Sequence, residues 1–109
     1  MTLREPTTSE LSLLLALARQ APKLPPGWSE GLKVVEMEDG GMGSLRLVPR
    51  GLELAARRFG SLLAELQFRD ADGVEVLASL NADERGVPFE LDIWKSDFSK
   101  LIRLPDLDA

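Results

Sequence analysis

The sequence predicts an α+β domain, with one amphipathic helix packed on one face of an antiparallel β-sheet, a meander of about five strands. Three observations predict it. An N-terminal run carries apolar residues at helical spacing behind a capping sequence. From residue 32 the apolar period changes from 3.6 to 2. Two alternating runs between Ser61 and Asn81 are joined by an Asp-Gly bend, a hairpin signal. With 109 residues, the expectation is a single domain over 1–109, with the helix at 8–20, a connector at 21–31 and the sheet at 32–104.

The helix opens on Thr7-Thr8-Ser9-Glu10, a capping box in which Thr7 and Glu10 satisfy each other's amides. Leu11, Leu14, Leu15 and Ala18 follow at helical spacing, and Leu13 and Leu17 widen the stripe. Such a helix is either deeply packed or shared with a second subunit. Pro22 ends it. Three prolines and two glycines between Ala21 and Gly31 make the connector, with Trp28 as its anchor.

Leu32–Glu38 reads as a strand, Asp39 to Gly43 as a turn and Ser44–Val48 as the returning strand. Leu52–Arg58 is ambiguous and accommodates two helical turns. Leu62, Ala64, Leu66 and Phe68 then alternate with Leu63, Glu65, Gln67 and Arg69. Val74, Val76, Ala78 and Leu80 alternate with Glu75, Leu77, Ser79 and Asn81. A plain two-residue loop at Asp70–Gly73 sets Phe68 against Glu75 and mixes the faces. A type I turn with a left-handed Gly73 in a bulge pairs Asp70 with Val74 instead. Phe68 then meets Val76, Leu66 meets Ala78, Ala64 meets Leu80, and Arg69 meets Glu75. In Phe89–Lys95, residues Phe89, Leu91 and Ile93 face the core while Glu90, Asp92 and Trp94 face away. Leu101–Leu104 is expected to add a short edge strand.

Composition narrows the function classes. The chain is 44% hydrophobic, with 21 leucines and only two Trp and four Phe, so the core is aliphatic. It has 13 basic and 18 acidic residues, net −5. No positive field favours nucleic acid or an acidic membrane. Residues 1–58 hold eight basic and seven acidic side chains, net +1, and 59–109 hold five and eleven, net −6. The acidic half favours a cationic partner. The absence of Cys and His removes disulfides, thiolate nucleophiles, imidazole bases and the usual zinc ligands. No cofactor and no metal is expected. The apolar run Leu11–Ala18 is too short to span a bilayer. It follows Arg4, Glu5 and Glu10 rather than a positive start, so a secretory signal is not expected and a cytoplasmic location is.

Three constellations are candidates for function. Gly40, Gly41 and Gly43 free a backbone hollow that suits an anion, although Asp39 stands at its entrance and a hairpin turn explains the glycines as well. Glu90 and Asp92 point to one side of a strand about 7 Å apart, a separation glycosidases use and also that of any solvated strand. No catalytic residue is assigned. The eight serines lack a histidine, and a Ser-Lys pair needs Lys33, Lys95 or Lys100 buried beside one. Trp94, supported by Leu77 and Leu63, stands on the polar face, and large apolar side chains there mark interfaces. The competing account is that the Trp28 connector or Leu52–Arg58 covers that face.

Two stretches, DGGMGSL at 39–45 and FELDIWKSDFSKLIRL at 89–104, resemble the signatures of a family of small bacterial proteins known only as a domain of unknown function. The resemblance covers 32–109 and extends weakly to the helix. It implies an N-terminal helix, a glycine-rich turn, a hairpin at Asp72-Gly73-Val74 and the ELDIWK…DFS…L ending. Lys100 stands where family members often carry proline. The resemblance implies no activity. Two functional readings remain. One is a non-enzymatic interaction module, of the immunity type by analogy or a homodimer, built on Trp94, Leu77, Glu90 and Asp92. The other is a small-ligand site or weak enzyme in which Gly40, Gly41, Gly43, Asp92, Trp94 and Asp97 converge.

Overall fold

A computed structural model of the chain describes residues 2–105 and 107. Met1, Asp106, Asp108 and Ala109, part of the expected 1–109 domain, lie outside the described residues. Helix α1 spans Thr8–Gln20 and begins at the expected capping box. The Glu10 amide donates to Thr7 Oγ1 at 3.1 Å, and the Thr7 amide donates to Glu10 Oε1 at 2.8 Å. Arg4 grips the same carboxylate through both terminal nitrogens. The fully buried face is Leu13, Leu14 and Leu17. Leu15, expected in the stripe, is exposed instead, and Leu11 is half-buried. The helix meets the sheet along the line between Leu13, Leu14 and Leu17, so leucines turned away from it stay wet.

Five strands follow: β1 Lys33–Glu36, β2 Leu45–Val48, β3 Phe59–Arg69, β4 Glu75–Asp83 and β5 Pro88–Lys95. All neighbours are antiparallel, in the order β1-β2-β5-β4-β3. Only β3-β4-β5 run as a meander. The β1–β2 hairpin joins the far side of β5, which leaves β1 and β3 as the edges. This order sets Ala64, Leu80, Leu91 and Leu45 in one aliphatic row across four strands, with Leu66, Ala78 and Ile93 beside it. Helix α1 covers that face, and Trp28 packs against the same cluster from the connector.

The β3–β4 hairpin has the expected register: Phe68–Val76, Leu66–Ala78, Ala64–Leu80 and Arg69–Glu75. The Asp70 amide donates to the Val74 carbonyl, and Gly73 is left-handed at φ 81°. The extra residue keeps apolar side chains on one face, which a one-residue slip would reverse.

Four expectations need correction. A register shift between Leu62 and Ala64 inverts the alternation there. Leu62, expected inside, is 51% exposed, and Leu63, expected beside Trp94, packs against the core. Phe89 is buried, but outside the aliphatic cluster. A shift at Asn81/Ala82 interrupts the pairing beside it, and it lies beneath the guanidinium groups of Arg46 and Arg57, 4.5 and 5.3 Å from the ring centroid. Leu52–Arg58 contains only the 3-10 turn Leu54–Ala56. Leu101–Leu104 is not a strand, because its amides turn to side-chain and loop acceptors: Leu101 to the Gly41 carbonyl, Ile102 and Arg103 to the Asp70 carboxylate.

Gly60 is required for a reason the sequence does not announce. A Cβ there would overlap the Asp83 carbonyl on β4. Gly60→Ala is expected to cost about 1–3 kcal/mol, as overpacking does. Urea denaturation checks this, and an unchanged midpoint would show that β4 yields to the added methyl.

Candidate functional site

The face of the sheet opposite α1 carries most of the expected site. Cross-strand register arranges it in rows. Glu65, Ser79 and Asp92 form one row, and Gln67, Leu77 and Trp94 the next. Trp94 is 43% exposed, so neither the Trp28 connector nor Leu52–Arg58 buries it. Phe98, 67% exposed, meets its indole edge-to-face with centroids 5.9 Å apart.

Phe98 is the site residue that the sequence reading passed over. Its backbone is left-handed at φ 62°, a genuine strain for a bulky side chain. Asp97 builds the turn that holds it there. The Asp97 carboxylate accepts the Ser99 amide at 3.0 Å and the Ser99 hydroxyl at 2.6 Å. Those two bonds, the hydroxyl foremost, hold the Asp97 carboxyl below its ordinary pKa. The available signal was a large apolar residue flanked by Asp and Ser in a polar turn.

The acidic residues of the face divide into two kinds. Glu90 is engaged by Asn81 at 3.2 Å and Arg46 at 3.6 Å. Glu65 and Asp92 have no cationic partner among the described residues and touch only serine hydroxyls, Ser79 and Ser44, each at 3.4 Å. Asp92 and Asp97 are exposed beside the aromatic pair.

The glycine turn lies at the end of the same strand. Gly40, Gly41 and Gly43 adopt φ of 76°, 82° and 101°. The Asp39 carboxylate accepts the amides of Met42 at 3.1 Å and Ser44 at 2.9 Å. Burial alone would raise its pKa, but Ser44 and the Met42 amide outweigh that and lower it. Two of the loop's amides are therefore directed to its own carboxylate. The turn packs on the segment after β5. Ser44 Oγ accepts the Ile93 amide at 2.9 Å, and a Cβ on Gly41 would press on Lys100. The two signature stretches are thus packing neighbours. This brings the turn near Asp92, with the Met42 and Ser44 amides already taken by Asp39.

Lys95 was the other omission. It continues the inward phase of Leu91 and Ile93 and is fully buried. Its ammonium donates to Asp70 at 2.8 Å, Asp72 at 2.7 Å and the Lys100 carbonyl at 3.1 Å. No serine shares these contacts. Asp70 also accepts the amides of Ala71, Ile102 and Arg103. Burial opposes its ionisation, but the Ile102 amide and the Lys95 ammonium outweigh that and hold it well below the carboxylate range. The cluster ties the hairpin, β5 and the C-terminal segment together. Among the described residues, no three acidic side chains are placed to hold a metal ion. No described helix is long and apolar enough to cross a membrane.

The family model for a domain of unknown function, DUF6984, matches residues 3–105. The chain belongs to the DUF6984 family. The match takes in the helix, the glycine turn and the β5 ending together. Neither the curated proteins nor the solved structures provide a match. For this DUF6984 domain, then, any functional reading rests on its own geometry.

Proposed function

We propose that this domain is a non-enzymatic protein-interaction module whose docking surface is the open sheet face around Trp94. The observation that carries the reading is the exposed Trp94–Phe98 pair, held on a strained turn inside an acidic frame. Leu77 beside Trp94 extends the apolar area. Glu65, Asp92 and Asp97 lack cationic partners among the described residues, so the surface suits a basic polypeptide. Aromatic anchors supply most of the affinity in such interfaces, and uncompensated charges select the partner. Gly40, Gly41 and Gly43 then serve to seat the turn on the β5 ending rather than to bind. A cytoplasmic location and an immunity-type role, a small acidic domain neutralising a basic toxin, fit this reading. The small-ligand alternative has less support, because the Asp39 carboxylate at the turn repels an anion and already holds the Met42 and Ser44 amides.

The test is affinity capture from the native host with the wild type, Trp94→Ala and Asp92→Lys, each checked for an unchanged melting profile. A captured basic protein should bind Trp94→Ala at least about 30-fold more weakly, as for an interface hot spot. Asp92→Lys should slow its association and reduce the salt dependence. Binding that survives both substitutions rules the surface out.

A further inference from the structure

We infer that the free edge of β3 pairs with β3 of a second copy of this chain, joining two sheets into one about a two-fold axis at Gln67. The two edges of the sheet are treated differently. The outer side of β1 is closed by the N-terminal segment, where Arg4 and Val34 exchange both backbone bonds, at 3.0 and 2.7 Å. β3 ends the other side, and among the described residues its strand backbone bonds only toward β4. It is 11 residues long, about twice the mean strand. From Ala64 to Phe68 it carries no proline, no register shift and no inward-pointing charge, three of the devices that keep edges apart.

The first half of β3 is interrupted by two register shifts, and the run from Ala64 to Arg69 is regular. Asp70 extends it through its bond to Val74. The centre of Ala64 to Asp70 is Gln67. Antiparallel pairing about that residue sets Glu65 against the partner's Arg69, and the two-fold axis repeats the ion pair. It also sets Leu66 against the partner's Phe68, twice. Leu66 and Phe68 are only half-buried although they pack on the core, so a second strand completes their burial. Arg69 is available for this, since its contact with Glu75 is long, 3.8 Å, and both side chains are 73% exposed. Moving the axis by one residue spoils the match. Centring on Leu66 leaves Arg69 against Leu63, and centring on Phe68 leaves Glu65 against Ala71, so either shift loses the ion pair, whereas the Gln67 register keeps it and sets only Ala64 against Asp70 at its ends. Trp94 lies two strands away on β5, so the Trp94 face stays open in such a dimer; the partner's Arg69 takes Glu65, and Asp92 and Asp97 remain the uncompensated charges beside the aromatic pair.

Sedimentation velocity of the whole chain tests the inference. The wild type is expected to be a dimer at about 100 μM, where even a weak specific interface is populated. Glu65→Arg and Arg69→Glu each place like charges opposite one another twice, and each should weaken dimerisation by about tenfold. Both positions are exposed, so circular dichroism should show both variants folded. Mixed in equal amounts, the two variants should dimerise with each other, because every facing pair is then opposite in sign. A monomeric wild type, single variants that dimerise as the wild type does, or a mixture no tighter than its components would each overturn the inference.

Discussion

Replacing Asp70 by alanine is expected to cost about 3–5 kcal/mol, the usual result of removing one member of a buried ion pair. The melting temperature should fall by roughly 10–20 °C. Asp70 and Lys95 have 0% and 1% side-chain exposure at 2.8 Å, so water cannot replace the lost partner. The amides of Ala71, Ile102 and Arg103 lose their acceptor at the same time. Asp70→Asn should cost less, because its amide oxygen still accepts. Lys95→Met should also cost less than Asp70→Ala, because the carboxylate keeps its three amides. The pH dependence has a definite sign. Asp70 is lowered below its unfolded value of about 3.9. Its contribution is therefore complete above about pH 5 and is lost progressively as the pH falls from about 4 toward the folded value well below it. The raised Lys95 ammonium contributes at neutral pH, and its share is lost only as the pH rises beyond about 10.4. Denaturant titrations from pH 7 to 3 check this. The wild type should weaken steeply toward pH 3, and Asp70→Asn should weaken less.

Arg57→Ala should cost a similar amount, about 3 kcal/mol. Arg57 and Asp83 have 6% and 5% side-chain exposure at 2.8 Å. The same guanidinium donates to the carbonyls of Leu47, Val87 and Pro88 and covers the Phe89 ring. It thereby joins β2, the β4–β5 turn and the segment before β3. Arg57→Lys should recover only a small part of the loss. A single ammonium cannot span acceptors that the planar fork reaches together. Equilibrium denaturation of both variants decides the matter, and a loss below about 1 kcal/mol for Arg57→Ala would show the cluster to be peripheral.

Much of this fold was legible because local chemistry and global pattern agreed. The capping box at Thr7 and Glu10, and the Asp70–Gly73 bulge, follow from rules that act within a few residues. The errors fall where alternation breaks. The shifts at Leu62/Ala64 and Asn81/Ala82 exchange the faces of Leu62 and Leu63 and move Phe89 out of the aliphatic cluster. Nothing between Leu62 and Ala64 marks a bulge, whereas Pro88, which faces Ala82 and cannot donate to the ladder, was a readable sign of the second. Gly60 is dictated by a carbonyl on another strand, which a single sequence does not display. The inward phase of Lys95 was readable, and a lysine in a core position demands a carboxylate. Which one depends on the fold, since Asp70 is 25 residues away. At the candidate site, strand phase was enough to place Trp94, Leu77 and Asp92 on one face, while Asp97 was singled out only by its company with the glycine turn and Trp94. Phe98 was missed because its display depends on a backbone conformation that phenylalanine rarely adopts.

The central claim is that the Trp94–Phe98 pair is displayed rather than packed. Equilibrium denaturation of Phe98→Gly tests it most directly. Glycine relieves the left-handed strain, worth about 1–2 kcal/mol. Against that stand the aromatic contact, about 0.5–1.5 kcal/mol, and the added freedom of the unfolded chain, about 0.5–1 kcal/mol. These terms nearly cancel, so the variant should match the wild type to within about 1 kcal/mol. A loss of 3–5 kcal/mol, as for a truncated core aromatic, would contradict the account and place Phe98 in the packing of the domain.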